Sequence, residues 1–347
     1  MKKILIKANM SNLNGLSYHR LIVPYAKVSD MQEFQIDVFQ DISLLDENKL
    51  KEYSAVIFQR EIDVNGKSIE LINYYHSLGL KVIFDIDDYW VLPQTHPLFK
   101  VFKEFKIVKQ TEDILKHVDL VTTTTKHLAS KISKFNKSVE VLPNCLDLED
   151  EQWESNKTYS EKVRFGYIAG VHHMVDVRIL QMPIRKILRQ NINAMFVLGG
   201  YNDNDHYKYY ENVMTAGNLN SNSYIRINSM PVHDYGTAYN HTDVSLIPLE
   251  KSDFSACKSE IKLLEAAAHN NAAIVSNCLP YNTFPSDTAI FLENSDVNGW
   301  FKAIKRLSAD KSLIQDYSQR LKEYTTKNYD LKKWTNTRKQ ILRSVLA

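Results

Sequence analysis

The sequence predicts an α/β protein made of two domains, each a parallel sheet covered by helices. Three observations predict it. Short runs rich in Val, Ile or Phe recur along the chain without clean polar alternation, which is how strands buried on both faces read. Segments of helical spacing lie between them, and strand alternating with helix builds a parallel sheet. The rhythm occurs twice in 347 residues, a length for which two domains is the default.

In the first half the expected strands are 4–8, 36–40, 55–59, 81–86, 120–125 and 139–143, with helices over 68–78 and 99–117. In the second half they are 164–170, 194–199, 224–229, 244–249, 272–276 and 289–292, with the best helix over 258–269. The halves join near 147–161, an acidic and polar stretch carrying Glu149, Asp150, Glu151, Glu154 and Asn156. The expected domains are therefore 1–150 and 151–330. No repeat of solenoid or propeller length is present.

Composition narrows the function. Hydrophobic residues make up 44% and charged residues 24%, which suits a folded globular chain rather than disorder. The net charge of +2 argues against a large nucleic-acid footprint. No apolar run is long enough to cross a bilayer, and the apolar stretch after Lys2 and Lys3 is too short for a signal peptide. Three scattered cysteines, Cys145, Cys257 and Cys278, form neither a disulfide framework nor a zinc pattern, so a cytoplasmic protein is expected. GxGxxG, GxxxxGK[ST] and GxSxG are all missing, which argues against a dinucleotide site, a P-loop NTPase and a serine-hydrolase elbow.

Ligands of open parallel sheets bind at the carboxyl ends of the strands, so residues just past each strand are the candidates. Two such edges facing each other would make a cleft. Lys258 and Ser259 open the expected helix 258–269, where free N–H groups and the helix dipole favour an anion such as a diphosphate. Glu265, two turns on, could accept hydrogen bonds from a ribose. The plain alternative is that Ser259 caps the helix, Lys258 is solvated and Glu265 forms a surface pair. After 164–170, Gly170 permits close backbone approach, and His172 and His173 could donate to phosphate or sugar. A structural turn reads the same way, and two adjacent histidines are no metal motif. Asp85, Asp87 and Asp88 crowd the end of 81–86, where like charges are costly unless compensated. Metal binding, catalysis and sugar-hydroxyl recognition would each use them; helix capping would too. Gly15, Tyr18 and Arg20 follow the first strand. Leu98, Val101, Phe102, Phe105 and Val108 recur at helical spacing among Lys100, Lys103, Lys106 and Lys109. Such a helix either faces the core or lies on an anionic membrane.

Several fragments, in order, resemble a large retaining glycosyltransferase family with an E-x(7)-E motif and the GT-B architecture of two Rossmann-like domains. Val139-Glu140-Val141-Leu142-Pro143-Asn144-Cys145-Leu146-Asp147 looks like the family's V-I-P-N-G-V-D. Residues 120–128 look like the strand-to-helix segment before it. Thr242-Asp243-Val244-Ser245-Leu246-Ile247-Pro248 is similar to A-D-V-x-L-x-P. Residues 258–268 with 273–276 look like K-S-x-I-K-x-L-E-A-A-A followed by P-V-V-A-S. The resemblance implies transfer of a sugar from a UDP- or GDP-linked donor to a glycan, lipid-linked or protein acceptor, without metal and with retention, in bacterial surface glycan or polysaccharide synthesis. It implies no cofactor beyond this co-substrate. Glu265 matches the motif's second Glu, and Lys258 and Ser259 match a Lys-Ser branch facing the diphosphate. Cys257 stands where the first Glu would be, and Glu260 where a glycine would be. Gly170, His172 and His173 replace the usual Arg and Lys. Asp87 falls near an active-site His, making Asp87, Asp88 and His173 the catalytic candidates. Pro231 and Val232 match the base-contacting segment, and Gly15, Tyr18 and Arg20 lie on the acceptor side. In GT-B relatives a final helix, here 331–347, crosses back onto the acceptor domain. Contact with the inner face of a membrane through 98–109 fits this picture. Cys257 also leaves room for an inactive sugar-nucleotide-binding or scaffolding protein, and the two-domain framework for an epimerase or a phosphorylase.

Overall fold

The computed structural model describes residues 1–11, 14–30, 32–60, 66–170, 173–190 and 192–347. Every expected strand forms, in two six-stranded sheets whose pairings are all parallel. The first sheet comprises β1 (Lys2–Lys7), β2 (Phe34–Phe39), β3 (Ala55–Gln59), β4 (Lys81–Ile86), β5 (Leu120–Thr123) and β6 (Val139–Val141), in the order β2-β1-β3-β4-β5-β6. The second comprises β7 (Val163–Ile168), β8 (Ala194–Tyr201), β9 (Tyr224–Asn228), β10 (Val244–Ile247), β11 (Ala272–Ser276) and β12 (Ile290–Leu292), in the order β12-β11-β10-β7-β8-β9. From its β9 edge, the second sheet has the dinucleotide-domain order, reversing between β7 and β10. The first reverses between β1 and β3.

The unbroken apolar strands follow from burial on both faces. Leu5, Val56, Phe58, Val82 and Phe84 enter one apolar cluster, while Ile4, Ile6, Ala55, Ile57 and Ile83 enter another. Successive side chains point to opposite faces, and both faces are covered. Each fully buried aliphatic or aromatic side chain contributes about 1.5–3 kcal/mol of transfer free energy.

The chain divides into two compact units. The first is Met1–Cys145 with Ala256–Ser259 and Tyr329–Ala347; the second is Leu146–Ser255 with Glu260–Asn328. The short piece Ala256–Ser259 departs from the simple two-way division expected from sequence. Its anchor is Cys257, wholly buried in an apolar cluster of the first unit. Cys145, Cys257 and Cys278 are all buried and form no disulfide.

Two helices differ from expectation. The helix expected over 258–269 spans Ile261–Ala268. Ser259 accepts a hydrogen bond from Asn144 (2.7 Å), and Lys258 pairs with Asp88 (3.8 Å), which engages both residues outside the helix. The segment 99–117 forms two helices, Phe99–Glu104 and Ile107–His117, interrupted at Lys106 in the left-handed region (φ 52°). The Gln110 side chain donates to the Phe105 carbonyl at 2.7 Å, satisfying a group freed at the break. Val101 and Phe105 are 44% and 58% exposed, so these two members of the stripe do not face the core. No described helix is long and apolar enough to cross a membrane.

The acidic joining stretch is anchored in the second unit. Trp153 is buried and packs edge-on against Tyr235, with ring centroids 5.6 Å apart. Two glycines of this unit serve different ends. A Cβ at Gly166 would sit 2.1 Å from Thr242 Cγ2, in a wholly buried setting, whereas a Cβ at Gly170 meets no described atom within 4 Å. Gly166→Ala should therefore destabilise the protein by about 1–3 kcal/mol through overpacking. Gly170→Ala should leave its stability within about 0.5 kcal/mol of the parent. Denaturant titration of both variants checks this; equal effects would contradict it.

Candidate functional site

The carboxyl edge of the first sheet is built around one buried carboxylate. Asp85, on β4, is 2% exposed. Its Oδ1 accepts from Arg20 Nε at 3.0 Å and Gln59 Nε2 at 2.8 Å; its Oδ2 accepts from Arg20 Nη2 at 2.6 Å and the Thr122 hydroxyl at 2.7 Å. Arg20 Nη1 also donates to the Leu142 carbonyl and to Asn144 Oδ1. These contacts link the residues after β1, the ends of β3 and β4, β5, and the residues after β6. Asn144 continues the chain to Ser259.

This corrects the expected part of Arg20. It is 2% exposed, with its guanidinium committed to Asp85, Leu142 and Asn144, so it positions the edge rather than touching an acceptor. It lies in a π-helical turn, Tyr18–Ile22, a form often found at functional sites. Gly15 and Tyr18 are half-buried just before it, and the ring of Tyr18 meets His19 edge-on at 5.1 Å. The Asn14 side chain caps the start of this segment by accepting from the Ser17 N–H at 2.9 Å.

Asp87 and Asp88 lie just beyond Asp85, both partly exposed. Loss of hydration first, and the neighbouring charge of Asp88 second, push the Asp87 carboxyl up to about 7, with Arg60 and Arg20 acting the other way. Asp87 is thus poised to exchange a proton near neutral pH. Asp88 faces Lys258 at 3.8 Å.

In the second unit, His172 lies outside the described residues. His173 follows the turn after β7 and precedes the helix Met174–Arg189. Its N–H donates to the Tyr210 hydroxyl at 2.7 Å, and its Nδ1 lies 2.9 Å from Asp176 Oδ2. Asp176 Oδ1 accepts the Glu250 N–H at 2.6 Å. Asp176 therefore ties the turn after β7 to the turn after β10, at the topological switch point, and fixes the imidazole. Gly200, with φ 84°, brings β8 against this turn: a Cβ there would lie 2.7 Å from the Ala169 carbonyl.

Glu265 is 2% exposed. Its Oε1 accepts from the Tyr235 hydroxyl at 2.7 Å; its Oε2 accepts from Tyr239 at 2.5 Å and Lys262 at 2.9 Å. Burial favours the neutral acid, but Lys262 and the two hydroxyls outweigh it and hold the carboxyl below its ordinary value. These donors occupy about three of a carboxylate's four acceptor positions. Pro231 and Val232 open the turn leading to Tyr235; the Pro231 carbonyl accepts from the Asp234 and Tyr235 N–H groups, both at 3.0 Å. Pro231, Val232, Tyr235, Tyr239, Lys262 and Glu265 thus belong to one local assembly. Glu260, just before the helix, is 8% exposed, and burial pushes its carboxyl up to about 7.

Asp176, Tyr235, Tyr239 and Lys262 were not among the residues singled out from sequence. Lys262 and Asp176 carried a local signal, since each stands three residues from its partner on a helix or at its start. Tyr235 and Tyr239 carried none, being 30 and 26 residues from Glu265.

No family model matches the chain, and no curated protein matches it in sequence. Solved structures do match. A sucrose-phosphate synthase from Thermosynechococcus elongatus is similar with a TM-score of 0.74 and 12% identity, over 99% of each chain. A glycosyltransferase from Rickettsia africae gives 0.67 and 11%, over 99% of this chain and 98% of that one. HepE from Anabaena, solved with UDP and glucose, gives 0.67 and 9%, over 99% and 100%. At such identities the likeness shows the fold: two Rossmann-like parallel-sheet domains, the GT-B architecture.

Proposed function

We propose that this chain is a glycosyltransferase that moves a hexose from a UDP- or GDP-linked donor to a hydroxyl acceptor, and that it belongs to the retaining E-x(7)-E family, in its Lys-Ser branch. The observation that carries the reading is the end-to-end likeness, across both units, to solved chains that include a glycosyltransferase and one solved with UDP and glucose. A role in bacterial surface glycan or polysaccharide synthesis rests on the resemblance of the motifs.

On this reading the second unit carries the donor side. No described atom crowds Gly170, which suits a phosphate close to the backbone, and His173, oriented by Asp176, donates to it. Glu265 holds the ribose end, and Pro231 and Val232 meet the base. Lys258 and Ser259 belong to the first unit, and their assignment to the diphosphate, where a cation and a hydroxyl would stabilise the leaving group without metal, rests on the motif resemblance alone. The first unit carries the acceptor side, to which Gly15, Tyr18, Asp87 and Asp88 are assigned. As the acceptor oxygen bonds to the anomeric carbon and the bond to the diphosphate breaks, Asp87 takes the hydroxyl proton. Retention of configuration rests on the resemblance alone.

One observation favours a second reading. Cys257, where the motif's first Glu would stand, is wholly buried in an apolar cluster and offers the sugar no carboxylate. A protein that binds the sugar nucleotide without transferring it would tolerate that exchange.

Release of nucleoside diphosphate from UDP- and GDP-sugars in the presence of acceptor separates the two. Transfer predicts turnover that survives EDTA and falls about 100-fold or more in Lys258→Ala and Glu265→Gln. No turnover with tight nucleotide binding would favour the binding protein, and full activity in both variants would overturn the assigned site. Because the Asp87 carboxyl stands raised, its ionised form dominates only above about pH 7. The rate should therefore climb as pH rises through that value, and Asp87→Asn should flatten the profile; an unchanged profile in the variant would remove Asp87 from the chemistry. Exposed Val101 and Phe105 among lysines support a proposed membrane contact through 98–109. Sedimentation with anionic phospholipid vesicles should depend on Phe105, so retention of full binding in Phe105→Glu would exclude this segment.

A further inference from the structure

The helix Leu331–Val345 belongs to the first unit and buries Leu331, Thr335, Arg338 and Leu342. These positions share one face, so its two apolar ends bracket two polar side chains one turn apart. Arg338 is 1% exposed and Thr335 7%. Among the described residues, Nε, Nη1 and Nη2 of Arg338 and Oγ1 of Thr335 are all buried without a hydrogen-bond partner.

A buried guanidinium cannot shed its charge at any physiological pH, and leaving it unpaired is costly. Its surroundings do not compensate it. Asp85 is within electrostatic reach, but its oxygens already serve Arg20, Gln59 and Thr122. Arg20, also in reach, adds a second positive charge. Tyr25 is buried, and its hydroxyl is pushed up to about 12, chiefly by burial, so it stays neutral. Cys145 directs its sulfur to the Pro143 carbonyl at 3.7 Å. Burial, and then Arg20, push the Arg338 guanidinium below its ordinary value. Asp87 is within electrostatic reach of Arg20, but among the described residues no carboxylate is hydrogen-bonded to Arg338.

We infer that Thr335 and Arg338 form an oxyanion site in the first unit, which takes a phosphate group through the guanidinium fork and the threonine hydroxyl. Arg suits this role because its planar donors match a phosphate's oxygens in pairs. The site is separate from the residues assigned to the donor diphosphate and stands whether or not the donor reading holds. The phosphate arrives either as the free ion or on a phosphorylated sugar.

Thermal unfolding and calorimetric titration with inorganic phosphate and with glucose 6-phosphate test this, on the full chain and on Arg338→Met and Thr335→Val. Phosphate should raise the melting temperature of the parent, less so that of Thr335→Val, and not at all that of Arg338→Met. Affinity should fall about tenfold or more in Arg338→Met. In phosphate-free buffer Arg338→Met should be at least as stable as the parent, because an apolar chain of similar length relieves an unpaired buried charge. Tighter binding of glucose 6-phosphate than of phosphate, lost in Arg338→Met, would assign the group to a phosphorylated sugar; equal binding of the two would assign it to the free ion. The inference is overturned if Arg338→Met unfolds more easily than the parent without phosphate, if phosphate stabilises both alike, or if it stabilises neither.

Discussion

The first unit depends on the buried pair between Asp85 and Arg20. Burying two charges carries a desolvation cost of several kcal/mol each, and removing one partner of such a pair typically costs about 3–5 kcal/mol. Here the cost is offset by full satisfaction: Asp85 accepts four hydrogen bonds, and Arg20 reaches two further acceptors. The contacts span the residues after β1, the ends of β3 and β4, β5, and the residues after β6. A parallel sheet leaves these ends to be joined by side chains, and one ion pair joins them. Asp87 lies two residues beyond this anchor, which is why a carboxyl with a raised pKa can be held in place there.

The second unit uses the same device twice. Asp176 joins the turns after β7 and β10 by accepting from His173 and from the Glu250 backbone. Glu265 joins a helix to the tyrosines of a preceding turn. In each case a nearly buried carboxylate, held by several donors, fixes groups that stand at or near the sheet's carboxyl edge. Arg338 departs from this pattern: among the described residues its buried guanidinium has no hydrogen-bond partner.

Much of this was legible in the sequence. Strands buried on both faces leave unbroken Val, Ile and Phe runs, so all the strands were visible, and their alternation with helices implied parallel pairing. Asp87, Asp88 and Glu265 stood out because charge crowded at a strand end, or within an alanine-rich helix, is locally anomalous. Other features were hidden because they depend on distant partners. Arg20 reads in sequence only as lying on the acceptor side, and only the fold brings it to Asp85, 65 residues away. Lys258 and Ser259 read as the start of a helix, yet Asp88 and Asn144 engage them before the helix begins. The helical stripe at 98–109 suggested one helix, but the left-handed turn at Lys106 divides it. Within the expected final helix 331–347, Thr335 and Arg338 carried no signal of their own; their burial comes from the fold.

The central claim is that the second unit holds a nucleoside diphosphate at the turn after β7 and beside Glu265. A crystal structure with bound UDP or GDP tests it most directly. The account predicts phosphate density within hydrogen-bond distance of Gly170 or His173, with the ribose toward Glu265. Density at any other place, or a nucleotide that does not bind at millimolar concentration, would contradict it.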